Sequence, residues 1–224
     1  MKDREHGYQL HWTTPLYLAK VREHDVPYEV DVFGVSMLVC PQVMSPKYDW
    51  AGVYMIENLH EQLDGARVLE IGSGCGLVSV HALLRRAAYL VAADINPAAV
   101  ENTRLNIERI NALDRAAVVQ SDMFDAVDGR FDLIIFNAPY HGCEAADLLE
   151  RGVADPGYGS LRRFFANVRS FLVPGGEVLF GFSESGDLEL AEALIREANL
   201  STLQRLSDVR EGYQCMIFRL RVAS

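Results

Sequence analysis

The sequence predicts an α/β fold built on a mostly parallel sheet, and three observations predict it. From Arg67 onward, short apolar runs alternate with stretches of helical periodicity, the pattern of successive strand-helix units. The first run ends in a glycine-rich turn, Gly72-Ser73-Gly74-Cys75-Gly76, that opens into a helical pattern. Breakers fall between the units: Pro97 stands where a first helical turn tolerates proline, and Pro174-Gly175-Gly176 stops a helix and turns the chain into the next strand.

Taken in order, strands are expected near 67–71, 89–94, 116–122, 131–137 and 177–182, with helices near 77–86, 98–110, 161–171 and 188–198. The stretch 212–222 is rich in Tyr, Ile, Phe and Val, and with 201–206 before it predicts a closing antiparallel hairpin. Upstream, 28–40 reads as a β-hairpin and 54–63 as a helix. The expected organisation is therefore an N-terminal segment, 1–66, followed by a core, 67–224. Near the start, His11, Trp12, Thr13, Thr14, Pro15 and Tyr17 gather aromatic and polar groups that suit either a lid over a small acceptor or a packed surface strap.

With 224 residues, half of them apolar, the chain can bury one substantial core. No apolar run approaches the roughly 18 residues of a membrane helix, and no signal peptide or anchor is apparent. Four scattered cysteines and six histidines without ligand spacing predict a reduced, cytoplasmic protein with no metal. The net charge of -10 opposes polyanions. Arg162, Arg163 and Arg169 form the nearest thing to a basic patch, and three arginines on one helix also suit a solvated face.

Glycines at the carboxyl end of a strand let the backbone turn tightly and approach a ligand closely, where open parallel sheets bind their ligands. The second strand ends at Asp94, before Ile95, where a carboxylate can accept both hydroxyls of a ribose. The third ends in Ser121-Asp122-Met123, where an acid beside an apolar side chain suits an adenine amino group and ring. Alone, Asp94 reads equally as a helix cap and Asp122 as a turn residue; together with the glycine loop they form a constellation. A nicotinamide dehydrogenase would want its third glycine at 77, which is Leu77, and its pyrophosphate would meet Glu70. S-adenosylmethionine carries an ammonium and no phosphate, so an acid there favours it.

The fourth strand delivers Asn137-Ala138-Pro139-Tyr140 to the same edge. A planar nitrogen has a delocalised lone pair and attacks a methyl group well only when its hydrogens are held. Asn137 can accept one N–H and the Ala138 carbonyl the other, Pro139 fixes the turn, and Tyr140 offers a flat face for stacking. An Asn-x-Pro turn merely covering the sheet end is the plain alternative. His141 and Glu144 follow directly and are expected to reach the acceptor.

On these residues the chain resembles the class I S-adenosylmethionine methyltransferases of the N-x-P-Y group, over roughly 28–222. The resemblance implies a Rossmann-like methyltransferase fold of seven strands, the last antiparallel, with helices on both faces. It implies that Gly72, Ser73, Gly74 and Gly76 line the methionine part of the cofactor, with Glu70 and Asn137 near its amino group. Asp94 and Ile95 would bind the ribose, and Asp122 and Met123 the adenine. It also places Pro46-Lys47-Tyr48-Asp49 over the cofactor, with Tyr48 toward the substrate.

Two departures bear on the acceptor. Ala138 replaces the usual first proline but keeps its carbonyl, and the N-terminal region is short for the recognition domain of a release-factor methyltransferase. The favoured expectation is N-methylation of a small molecule bearing an amide, guanidine or aromatic amine. The alternatives are an exocyclic amino group of RNA or DNA, a protein glutamine, or a non-catalytic cofactor-binding partner subunit. A homo-oligomer is left open.

Overall fold

In the computed structural model, which describes residues 11–223, helix α1 (Thr14–Arg22), a hairpin of β1 (Tyr28–Val32) and β2 (Val35–Val39), and helix α2 (Ala51–Glu57) precede the main sheet. The chain then alternates β3 (Arg67–Ile71), α3 (Leu77–Leu84), β4 (Tyr89–Asp94), α4 (Pro97–Arg109), β5 (Ala116–Gln120), β6 (Phe131–Asn137), α5 (Gly159–Asn167), β7 (Leu172–Ser183) and α6 (Leu188–Glu197). It closes with β8 (Leu200–Arg210) and β9 (Tyr213–Val222). The seven-stranded sheet runs β5-β4-β3-β6-β7-β9-β8, parallel through β7, with β9 antiparallel to both its neighbours. This is the Rossmann-like fold expected, a mostly parallel seven-stranded sheet with its last strand antiparallel.

The strands read as continuous apolar runs because they are buried on both faces, with side chains alternating between two cores. Val68 of β3, Leu90 and Ala92 of β4, and Leu133 and Ile135 of β6 face the core closed by α2, α3, α4 and the hairpin. Leu69 and Ile71, Val91 and Ala93, and Ile134 and Phe136 face the other, which α5 and α6 close with Phe164, Phe165, Leu194 and Ile195. Helix α1 stands apart: Leu18 and Val21 pack on Leu149 and Val153, in the loop after β6.

Local chemistry sets the helix ends. Asn96 caps α4 by accepting the Ala98 N–H at 3.0 Å, with Pro97 at the first turn. The expected helix at 161–171 is α5 followed by a short 3₁₀ turn, Val168–Phe171. The helix expected at 54–63 lies instead at Ala51–Glu57, ended where Asn58 folds its side-chain amide back onto the Tyr54 carbonyl. The Pro174-Gly175-Gly176 turn is part of β7: Phe131 pairs with Leu172 and Leu133 with Glu177, so the extra residues loop out as an irregularity at the strand's start.

Chain direction across the sheet reverses at β3, which pairs with β4 on one side and β6 on the other. Crossovers leave these neighbours in opposite directions and open a crevice at their carboxyl ends, where ligands of such sheets sit. The hairpin is fixed beside it by two asparagines of α4: Asn106 accepts the Leu38 N–H and donates to the Cys75 carbonyl, both at 2.8 Å, and Asn102 accepts the Cys40 N–H at 2.8 Å. Among the described residues no helix is long and apolar enough to cross a membrane.

Candidate active site

Where β3 gives way to α3 the backbone passes through the left-handed region at Gly72, Gly74 and Gly76, with φ of 73°, 56° and 80°. Gly76 is doubly constrained, since a Cβ there would lie 3.0 Å from the Thr103 Cα. Asp94, at the end of β4, braces this loop: its Oδ2 accepts the Gly74 N–H at 2.9 Å and its Oδ1 the Asn96 N–H at 2.8 Å. Desolvation raises its pKa, and those amide donors oppose the rise.

Glu70, one residue before the end of β3, is buried and accepts the Ser79 hydroxyl. Burial pushes its carboxyl up to about 8, from an ordinary 4.5. Because the folded state holds the proton more tightly, its contribution is full below about 4.5 and is lost as pH rises to about 8. Glu70→Gln is therefore expected to leave stability near that of the wild type at pH 4.5 and to raise it at pH 8 by roughly a few kcal/mol, at about 1.4 kcal/mol per pH unit. Urea unfolding at the two pH values checks this; equal stability at both would remove the buried proton.

Two connected cavities line the crevice. One is bounded by Gly72, Asp94, Ile95, Asp122, Met123, Asn137 and Pro139; the other by Glu70, Gly72, Ser73, Cys75 and Asn137. Gly74 and Gly76 line neither and act through backbone conformation. Asp122 is already paired with Arg163 at 2.7 Å, so any adenine would share that carboxylate. These residues fit S-adenosylmethionine: the glycine loop has an acid beneath it and no lysine or arginine within it to meet a phosphate.

A third cavity of about 250 Å³ lies outside the first two, between α1 and the sheet edge, lined by Trp12, Thr14, Tyr17, Tyr48, Tyr140 and Tyr213 among others. Tyr48 and Tyr140 thus face the expected acceptor side. Ala138 is buried behind the turn, with its N–H on the Gly181 carbonyl at 3.1 Å. His141 and Glu144 line none of these cavities. His141 is buried, its Nε2 3.0 Å from the Thr14 hydroxyl, and burial pushes its pKa down to about 4; it ties α1 to the motif loop. Glu144 is exposed.

Local sequence does not reveal the pairing of Asp49 with Tyr213. Asp49 lines all three cavities and takes the Tyr213 hydroxyl on Oδ1. The Pro46-Lys47-Tyr48-Asp49 segment was the local signal for Asp49, expected over the cofactor, but its partner is 164 residues away. Asp155 was also missed: its carboxylate accepts the N–H groups of Ser160 and Leu161, both at 2.9 Å, and its own N–H binds the His141 carbonyl, joining α5 to the motif loop.

The family model of the methyltransferase small domain matches residues 37–198. A candidate protein N5-glutamine methyltransferase of Methanocaldococcus jannaschii is 31% identical over 159 residues, which are 66% of this chain and 76% of that one. The release factor glutamine methyltransferase of Agrobacterium fabrum is 28% identical over 207 residues, 83% of this chain and 70% of that one. Among solved structures, a 16S rRNA N2 G1207 methyltransferase of T. thermophilus, in complex with AdoMet and guanosine, superposes with a TM-score of 0.65 at 23% identity, covering 87% of this chain and 50% of that one. These relatives correct the expectation of a small-molecule acceptor and of nucleic acid as the less favoured partner, because the substrates they name are protein glutamine and RNA. Net charge and a short N-terminal segment are global features, and neither reports what the pocket grips. The glycine loop, the crevice and the family match agree: the chain is an S-adenosylmethionine-dependent methyltransferase that belongs to the methyltransferase small domain family.

Proposed function

We propose that the chain methylates the side-chain amide nitrogen of a glutamine in a protein. The observation that carries this reading is the pair of unengaged acceptors at the end of β6. Among the described residues neither the Asn137 side chain nor the Ala138 carbonyl has a hydrogen-bond partner, although the strand before them is fully laddered. An amide NH₂ has two hydrogens to place there. With both held, and with Tyr140 against the flat amide, the lone pair turns toward the methyl group; orientation supplies much of the acceleration.

When bound, the cofactor supplies a methyl group already activated on a sulfonium sulfur. On the protein side, Asp94 and Ile95 hold the ribose, Asp122 and Met123 the adenine, and Gly72, Ser73, Glu70 and Asn137 the methionine end, with Gly74 and Gly76 shaping the loop. Glutamine is preferred over an RNA base because the relatives that align with most of the chain are named as glutamine methyltransferases, whereas the RNA enzyme, at 23% identity, shares only the fold. Action on translation components would place the protein in the cytoplasm.

Asp94→Ala should weaken S-adenosylmethionine binding by about tenfold or more by calorimetry, through lost ribose contacts and a loosened loop. For the acceptor, labelled cofactor is supplied with ribosomal proteins, release factors and RNA. Label recovered as N5-methylglutamine is expected; label in a nuclease-sensitive polymer would overturn the glutamine reading.

A further inference from the structure

At the meeting point of the three cavities stands a carboxylate with one oxygen committed and one free. Asp49 Oδ1 accepts both the Tyr213 hydroxyl and the Ala51 N–H, the latter at 3.2 Å, while Oδ2 has no partner among the described residues. The side chain shares the inner cavities with Gly72 and Asn137, and the outer cavity with Tyr140 and Tyr17. A half-buried anion costs free energy unless something compensates it, and among the described residues no cation is paired with this one. The position is therefore built for positive charge that arrives with ligands.

We infer that Asp49, held by Tyr213, is a catalytic carboxylate of the methyl transfer: its free Oδ2 stabilises the positive charge as it passes from donor to acceptor nitrogen and then takes the proton that nitrogen releases. This rests on the amide-methylation reading. The balance is closed: the nitrogen lone pair forms the N–CH₃ bond, the S–CH₃ pair returns to sulfur, and the N–H proton of the charged amide product moves to Asp49 and later to water. Asn137 and the Ala138 carbonyl orient the nucleophile but carry no net charge, so a fixed anion supplies what they lack.

The groups facing Asp49 are Tyr213 and Cys215 of β9, Glu211 of the turn before it, Tyr17 of α1 and Tyr140 after β6, with Lys20 also lining the outer cavity. Desolvation raises the Asp49 pKa above the ordinary carboxylate value, as does Glu211, while the Tyr213 hydroxyl and the Ala51 N–H lower it. Removing the Tyr213 hydroxyl raises it further.

The test uses the full chain with Asp49→Asn and Tyr213→Phe. By calorimetry, Asp49→Asn should weaken S-adenosylmethionine, which carries the sulfonium charge, by about tenfold, and leave S-adenosylhomocysteine, whose sulfur is a neutral thioether, unchanged. Equal effects on both ligands, or none, would overturn the inference whatever the acceptor. With a glutamine peptide, kcat should fall about a hundredfold with little change in KM, and the acid limb of the kcat profile should vanish in Asp49→Asn and move to higher pH in Tyr213→Phe. Wild-type turnover in Asp49→Asn would also overturn it. A wild-type protein that methylates no glutamine would defeat the substrate reading instead, with the two calorimetric affinities still deciding Asp49.

Discussion

Asn137→Ala is expected to cut turnover by about a hundred to a thousandfold while S-adenosylmethionine affinity stays within about threefold. The side chain sits at the end of β6 on the wall common to both inner cavities, and among the described residues no group occupies its amide. Truncation removes an oriented acceptor without breaking a bond that supports the fold. Loss of one such preorganised partner of the transition state costs about 2.7–4 kcal/mol in other enzymes. The cofactor would lose one contact at its methionine end and keep Asp94, Asp122 and the glycine loop, so its affinity should fall only slightly. Single-turnover rates beside calorimetry separate the two, and a variant that turns over like the wild type would mean that Asn137 does not position the nucleophile.

The sequence disclosed the crevice well because each part of it is written locally. A glycine trio, an acid at the end of β4 and the Asn137-Ala138-Pro139-Tyr140 turn each lie within a few residues of a strand end, and a parallel sheet brings successive strand ends to one edge without further instruction. Asp94 illustrates the limit of that reading. Its expected part as a ribose ligand and its plain part as a turn-stabilising carboxylate are compatible, since it binds the Gly74 and Asn96 amides from within the crevice.

The outer cavity was illegible because it is assembled from distant segments. Asp49, Tyr213 and Tyr17 belong to a loop, the last strand and the first described helix, and no periodicity links them. His141 shows the opposite failure: adjacency to the motif suggested a substrate contact, yet the ring turns inward to Thr14, because the loop needs a buried polar anchor for α1. Tertiary partners, absent from any local window, decided both cases.

Gly186→Ala should produce a second large loss, of about a hundredfold in turnover, from a residue that lines none of the three cavities. Gly186 lies between β7 and α6, directly behind the turn that carries Tyr140. A Cβ there would collide with the Tyr140 carbonyl oxygen and come within 2.7 Å of the Phe182 ring. Phe182 is fully buried against Phe180 and has little room to yield. The Tyr140 carbonyl is also gripped on another side by the Tyr158 hydroxyl at 3.2 Å, which in turn accepts the Asp187 N–H at 2.8 Å. The added methyl must therefore push the turn toward the outer cavity, and a displacement near 1 Å at a reacting centre can cost about a hundredfold. Overpacking should also lower stability by about 1–3 kcal/mol. Cofactor affinity is expected to persist, because the glycine loop and Asp94 lie upstream of the disturbance. Tyr158→Phe is the informative companion: it loosens the same carbonyl without pushing it, so it should cost about 1 kcal/mol of stability and a smaller share of turnover. If Gly186→Ala melts early but turns over normally once folded, the turn does not need its observed position, and the orientation of the amide by Asn137 and Ala138 cannot be what sets the rate.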